Sequence, residues 1–131
     1  MKYKILVVDD NEMNLTLIAK ILELEGYQVK AVQNGMDAID AVSQNPPDMA
    51  VLDVMMPDMD GYTLCEKLRQ PPLKAIFPII MLTAMNSEFE KDRADAAGAN
   101  EMWSKPFDIE LFRRRIQELL AADQPGGEVT R

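Results

Sequence analysis

Hydrophobic and polar residues follow two rhythms in turn along this chain. Some runs are apolar almost throughout: Ile5-Leu6-Val7-Val8, Met49-Ala50-Val51-Leu52 and Pro78-Ile79-Ile80-Met81-Leu82. Runs this short, bounded by turn residues, fit strands buried on both faces. Between them, apolar residues recur three and four apart. Leu15, Ile18, Ile21, Leu22 and Leu24 do so within Glu12–Glu25, and Ile109, Phe112, Ile116, Leu119 and Leu120 do so near the end. That spacing lines one face of a helix.

Strands are predicted over Tyr3–Val8, Tyr27–Val32, Met49–Asp53, Pro78–Thr83 and Ala99–Ser104. The second is the least apolar, which predicts a place near a sheet edge. Helices are predicted over Glu12–Glu25, Met36–Ser43, Tyr62–Arg69 and Ser87–Ala97, with a last one after Asp108. Ser87 and Glu90 have capping-box spacing, and Gly26 and Gly98 suit positions just past a helix end. Five strand–helix units with short connections predict an α/β fold. The expected form is a flavodoxin-like, doubly wound (βα)5 arrangement with a parallel five-stranded sheet of order 2-1-3-4-5. Residues 123–131 are polar and Gly-rich, and are expected to be a flexible C-terminal tail or the start of a linker.

Composition narrows the function. A chain of 131 residues, 47% hydrophobic and 27% charged, suits one globular domain. Its formal net charge of −8 argues against direct contact with nucleic acid or an anionic membrane and favours a divalent cation. The chain has no histidine, which excludes Ser-His-Asp and Cys-His sites and a phosphohistidine made on this chain. The one cysteine, Cys65, excludes an internal disulfide and is expected to be a partly buried small hydrophobe. The first apolar run is too short for a signal peptide or a membrane span, so the expected location is cytoplasmic.

The chemistry gathers at the carboxyl ends of the strands. The first predicted strand ends in Asp9 and Asp10, the third in Asp53 and the fourth in Thr83, and Lys105 follows the fifth. The 2-1-3-4-5 order makes strands 1, 3, 4 and 5 neighbours, so these residues should share one crevice. Carboxylates that close repel one another unless a cation compensates. Mg²⁺ takes oxygen ligands and keeps several waters, so a few carboxylates suffice. Asp10 and Asp53 are the expected direct ligands, with Asp9 acting through water and the backbone carbonyl of Met55 completing the protein's share. Asp53 is the expected nucleophile for a phosphoryl group. Lys105 would neutralise charge, and the Thr83 hydroxyl and the backbone at Ala84 would bind phosphoryl oxygens. Pro106 is a cis-peptide candidate.

Val7-Val8-Asp9-Asp10-Asn11, the segment Leu52–Gly61, Leu82-Thr83-Ala84 and Ser104-Lys105-Pro106-Phe107 resemble the receiver domain of two-component response regulators. The resemblance spans about residues 2–122, and the expected domain is 1–122. It implies a Mg²⁺-dependent switch, phosphorylated on Asp53 by a sensor histidine kinase or a histidine phosphotransfer protein. The pair Asp9 and Asp10 would hold the metal, and Thr83 and Lys105 the phosphoryl oxygens. The face built by helix 4, strand 5 and helix 5 would then change its partners: a downstream effector domain or protein, or a second copy in a homodimer. One position departs from the family pattern. Met102 stands where receivers often carry an aromatic residue, so the usual exchange between Thr and that ring does not transfer directly.

Two rival functions use similar chemistry. A haloacid-dehalogenase-like Mg²⁺ phosphatase wants a second Asp two residues after the nucleophile, where this chain has Met55. A flavodoxin-like FMN carrier wants a hydroxyl-rich loop after the first strand, where this chain has two acids. Of the ten methionines, Met49, Met56 and Met81 read as core filler, whereas Met55 and Met85 flank the expected site. Arg113-Arg114-Arg115 reads as a solvated helix face.

Overall fold

The computed structural model describes residues 2–85 and 87–122. The tail expected at 123–131 lies outside the described residues. Strands and helices alternate as β1 Lys4–Val8, α1 Glu12–Leu24, β2 Gln28–Val32, α2 Gly35–Gln44, β3 Met49–Asp53, α3 Gly61–Arg69, β4 Ile79–Thr83, α4 Glu88–Ala97, β5 Glu101–Ser104 and α5 Ile109–Ala122. All pairings are parallel, in the order β2-β1-β3-β4-β5. This is the predicted topology.

The apolar runs occupy the centre because only there are both faces covered. Every residue of β3 and β4 is buried. Successive strand residues face opposite layers. Leu6, Leu52 and Met81 pack toward Ala38 of α2, Leu64 of α3 and Ala94 of α4. Ile5, Val51 and Ile80 pack toward Leu22 of α1 and Phe112 of α5. β2, expected near an edge, is an edge strand and is mostly exposed.

Side chains fix where the helices begin. Asn11, Asn34, Asp60 and Ser87 each accept a hydrogen bond from the backbone N–H three residues on. Each bond satisfies one of the orphan donors of a first turn. Gly98, at φ 99°, ends α4 in the left-handed region that glycine enters freely.

Four local expectations change. Leu24, expected on the face of α1 that carries Leu15, Ile18 and Leu22, is 75% exposed. β5 starts at Glu101, not Ala99, because Asn100 replaces the ladder: its N–H donates to the Ile79 carbonyl at 2.8 Å, and its side-chain oxygen accepts from the Ile79 N–H at 2.8 Å. Ile109 is 44% exposed. The buried stripe of α5 is Phe112, Ile116 and Leu120, and Ile109 lies in the turn before it reaches the core. Cys65 is fully buried rather than partly so, and burial pushes its thiol up to about 11. The Lys105–Pro106 peptide is cis, as is Pro71–Pro72.

Candidate functional site at the carboxyl edge of the sheet

β1, β3 and β4 end together, so the residues that close them meet. Asp9, Asp10 and Asp53 each bring a carboxylate oxygen within 4.8 Å of the others. Asp9 and Asp53 are buried, and Asp10 is exposed. From beyond β5, the Lys105 ammonium donates to Asp53 Oδ1 at 2.8 Å and lies 3.7 Å from Asp9 Oδ2. Lys105 is itself positioned from the backbone, since its N–H donates to the Thr83 carbonyl at 2.7 Å.

Local chemistry holds each acid in place. Asp9 Oδ1 accepts from the Asn11 N–H at 2.9 Å, and Asn11 in turn caps α1 by accepting from the Asn14 N–H at 2.9 Å. On the far side of Asp53, the Gly61 N–H donates to the Val54 carbonyl at 2.9 Å. A Cβ on residue 61 would stand 2.6 Å from the Asp53 carbonyl oxygen and 2.9 Å from Val54 Cα. Glycine is what lets the start of α3 close on the end of β3.

One ammonium among three carboxylates leaves the crevice negative. Burial raises the Asp9 pKa, opposed by the Asn11 backbone hydrogen bond and Lys105, while Asp10 raises it further. Asp53 is also raised, first by burial; Lys105 pulls it down, and Asp9 and Asp10 push it up. Asp9 Oδ2 is buried with no hydrogen-bond partner. A buried carboxylate oxygen in that condition is unusual, and the Lys105 ammonium stands 3.7 Å from it. Three oxygen donors at this spacing, one with an unused lone-pair direction, fit a hard divalent cation.

Thr83 is fully buried at the end of β4, and its hydroxyl accepts from the Met85 N–H at 3.0 Å. Ala84 is exposed at the rim of the crevice. Met55 and Met85 are 60% and 48% exposed. Met102 packs toward the layer of α2, α3 and α4, whereas Trp103 faces α1 and α5, stacked edge-on against Phe107 and Phe112. All the acids, the hydroxyl and the ammonium expected at the carboxyl edge are therefore brought there.

Two features escaped the sequence. An apolar groove beside Lys105 is lined by Leu17 and Ile21 of α1 with Phe107 and Ile109. Leu17, which falls off the α1 stripe of Leu15, Ile18 and Leu22, is 57% exposed there. The other is Tyr62, whose hydroxyl reaches Glu90 across 28 positions in the chain. No local pattern announces a pairing of that length.

A parallel (βα)5 sheet with acids, hydroxyl and lysine at its carboxyl edge defines a phosphoryl-accepting signalling domain. The family model of the response regulator receiver domain matches residues 5–117, and the chain belongs to that family. It is 42% identical to the alkaline phosphatase synthesis transcriptional regulatory protein PhoP of Bacillus subtilis, over 92% of this chain and 49% of that protein. Among solved structures, it resembles the signal receiver domain of a signal transduction histidine kinase from Syntrophus aciditrophicus. The TM-score is 0.84 and the identity 35%, over 94% of this chain and 93% of that one. It also resembles the chemotaxis protein CheY4 of Vibrio cholerae, with a TM-score of 0.85 and 28% identity over 91% and 99%. The chain spans about half or less of the length of curated relatives such as PhoP and the response regulator PleD of Caulobacter vibrioides. The haloacid-dehalogenase-like alternative finds no support. Among the described residues, no helix is long and apolar enough to cross a membrane.

Proposed function

We propose that this domain is a switch that accepts a phosphoryl group on Asp53 from a phosphohistidine of a partner protein. The observation that carries the reading is the Asp53 carboxylate, buried at a strand end, held by Lys105 at 2.8 Å and grouped with two further acids. In the transfer, an Asp53 oxygen attacks phosphorus. A P–O bond forms, the P–N bond to the partner's imidazole breaks, and the imidazole takes a proton from solvent. Lys105 and the Thr83 hydroxyl would meet the equatorial oxygens, as loose phosphoryl transfer requires. Asp9, Asp10, Asp53 and the Met55 carbonyl would hold Mg²⁺. When bound, the ion supplies charge neutralisation at those oxygens.

The donor is a sensor histidine kinase or a histidine phosphotransfer protein. The groove of Leu17, Ile21, Phe107 and Ile109 supports this, because Lys105 belongs to both groove and site. An apolar helix seated there would carry a histidine to the carboxylate. The output is a change in the α4–β5–α5 face, read by an effector domain or protein, and by a second copy if phosphorylation drives dimerisation. Apart from accepting and slowly hydrolysing its own acyl phosphate, the domain turns over no substrate.

Incubation with Mg²⁺ and a small acyl phosphate tests the reading. The wild type should take up an alkali-labile phosphoryl label that Asp53→Asn lacks. A label that persists in Asp53→Asn, or a wild type that takes none, refutes it.

A further inference from the structure

The residue that sits against Met102 is Tyr62, which follows Gly61 at the start of α3. Its ring is buried, at 5% exposure, and its hydroxyl donates to Glu90 of α4. The hydroxyl also lies 4.0 Å from Met102 Sδ. Arg93 of α4 covers the ring face at 5.1 Å and reaches Glu66 of α3 at 3.9 Å. One α3 side chain thus touches both the first half of α4 and the β5 position where receivers often carry an aromatic residue.

The first turn of α4 is tied to the site by two routes. One runs along the chain: the Thr83 hydroxyl accepts from the Met85 N–H, and Ser87 caps α4 just beyond. The other runs through Tyr62. Its neighbour Gly61 is packed on the Asp53 carbonyl so closely that no Cβ fits, so the start of α3 that carries Tyr62 is seated on the end of β3. We propose that the Tyr62–Glu90 hydrogen bond is a latch that holds α4 in its resting place and thereby lowers the affinity of the site for a phosphoryl group.

The mechanism rests on the phosphorylation reading above. A phosphoryl group on Asp53 draws the Thr83 hydroxyl toward it, and the Met85 N–H loses its acceptor. The Ser87-capped start of α4 shifts and carries Glu90 with it. Tyr62, fixed against β3, does not follow, so the bond breaks. A contact made in only one of two states biases the equilibrium by its own free energy, and the bias is reciprocal. Breaking the latch in advance therefore tightens phosphoryl binding. A net hydrogen bond of ordinary strength corresponds to about three- to tenfold.

Beryllofluoride with Mg²⁺, a phosphoryl mimic, titrates the site, and Trp103, the single tryptophan, reports by fluorescence. Tyr62→Phe keeps the ring under Arg93 and removes only the hydroxyl; Glu90→Ala removes the acceptor. Each should lower the half-saturating concentration about three- to tenfold, and the double variant should go no further than either alone. A half-saturation that is unchanged or raised in Tyr62→Phe overturns the latch, as does full additivity in the double variant. A wild type without response, or an Asp53→Asn variant that responds equally, overturns the phosphorylation reading instead.

Discussion

Asp9→Asn should make the metal-free domain more stable at neutral pH. The substitution keeps Oδ1, which accepts from the Asn11 N–H at 2.9 Å, and changes only the atom that has no hydrogen-bond partner. Asp53, within 4.8 Å, repels Asp9 by at least about 3.5 kcal/mol at an effective dielectric constant of about 20. Lys105, at 3.7 Å, attracts it by about 4.5 kcal/mol on the same scale. Asp10 is exposed, so solvent screens its share. Repulsion and attraction nearly cancel, which leaves the desolvation of an unsatisfied buried oxygen, about 1–3 kcal/mol. At about 2.1 cal/mol/K per residue of unfolding entropy, that is a rise in Tm of about 4–11 °C. The pH dependence follows from the raised pKa. A carboxyl whose folded pKa lies above its unfolded value binds more protons when folded. It therefore contributes no destabilisation below the unfolded pKa, and its full cost appears above the folded one. The advantage of Asp9→Asn should be largest at neutral pH and fade as pH falls through the folded pKa of Asp9. Melting curves with EDTA, taken from neutral to mildly acidic pH, measure this. A variant that melts lower than wild type at pH 7, or an advantage that grows on acidification, refutes the electrostatic account.

Other substitutions separate the parts of the site. Met55→Asn replaces a 60% exposed apolar side chain at the rim and should admit attacking water, so the phosphoryl label on Asp53 should decay several-fold faster; an unchanged decay rate counts against a shielding role for Met55. Leu17→Glu places a charge in the groove. It should slow transfer from a phosphohistidine donor tenfold or more while leaving uptake from a small acyl phosphate intact, and equal slowing of both would remove the groove from donor recognition. Gly61→Ala puts a Cβ 2.6 Å from the Asp53 carbonyl oxygen. Backbone must move, at about 1–3 kcal/mol, so Tm should drop by about 4–11 °C, and a variant as stable as wild type would contradict that packing.

The sheet was legible because its core strands carry little but apolar residues. β3 and β4 could be placed nowhere except the centre, and their terminal Asp53 and Thr83 then had to share an edge with Asp9 and Lys105. Caps such as Ser87 were legible too, because their geometry involves residues three apart. What the sequence hid were pairings over long separations. Asn100 takes over the ladder with Ile79, so β5 is shorter than its composition suggests. Ile109 shares the helical spacing of Phe112 yet falls outside the core, because spacing records direction around a helix and not how far the sheet extends beneath it. Tyr62 reads as an ordinary aromatic in a first turn until α4 is laid across it.

Asn11 gives the backbone N–H that steadies Asp9 and also the side-chain oxygen that starts α1. Under the proposed function, cation loading at the acids and recognition of the donor along α1 would meet in a single amino acid. By reciprocity, whatever a divalent ion gains from an ordered α1, a docked helix gains from the ion. On that reading, kinetic studies that change magnesium concentration would perturb encounter with the donor as well as chemistry.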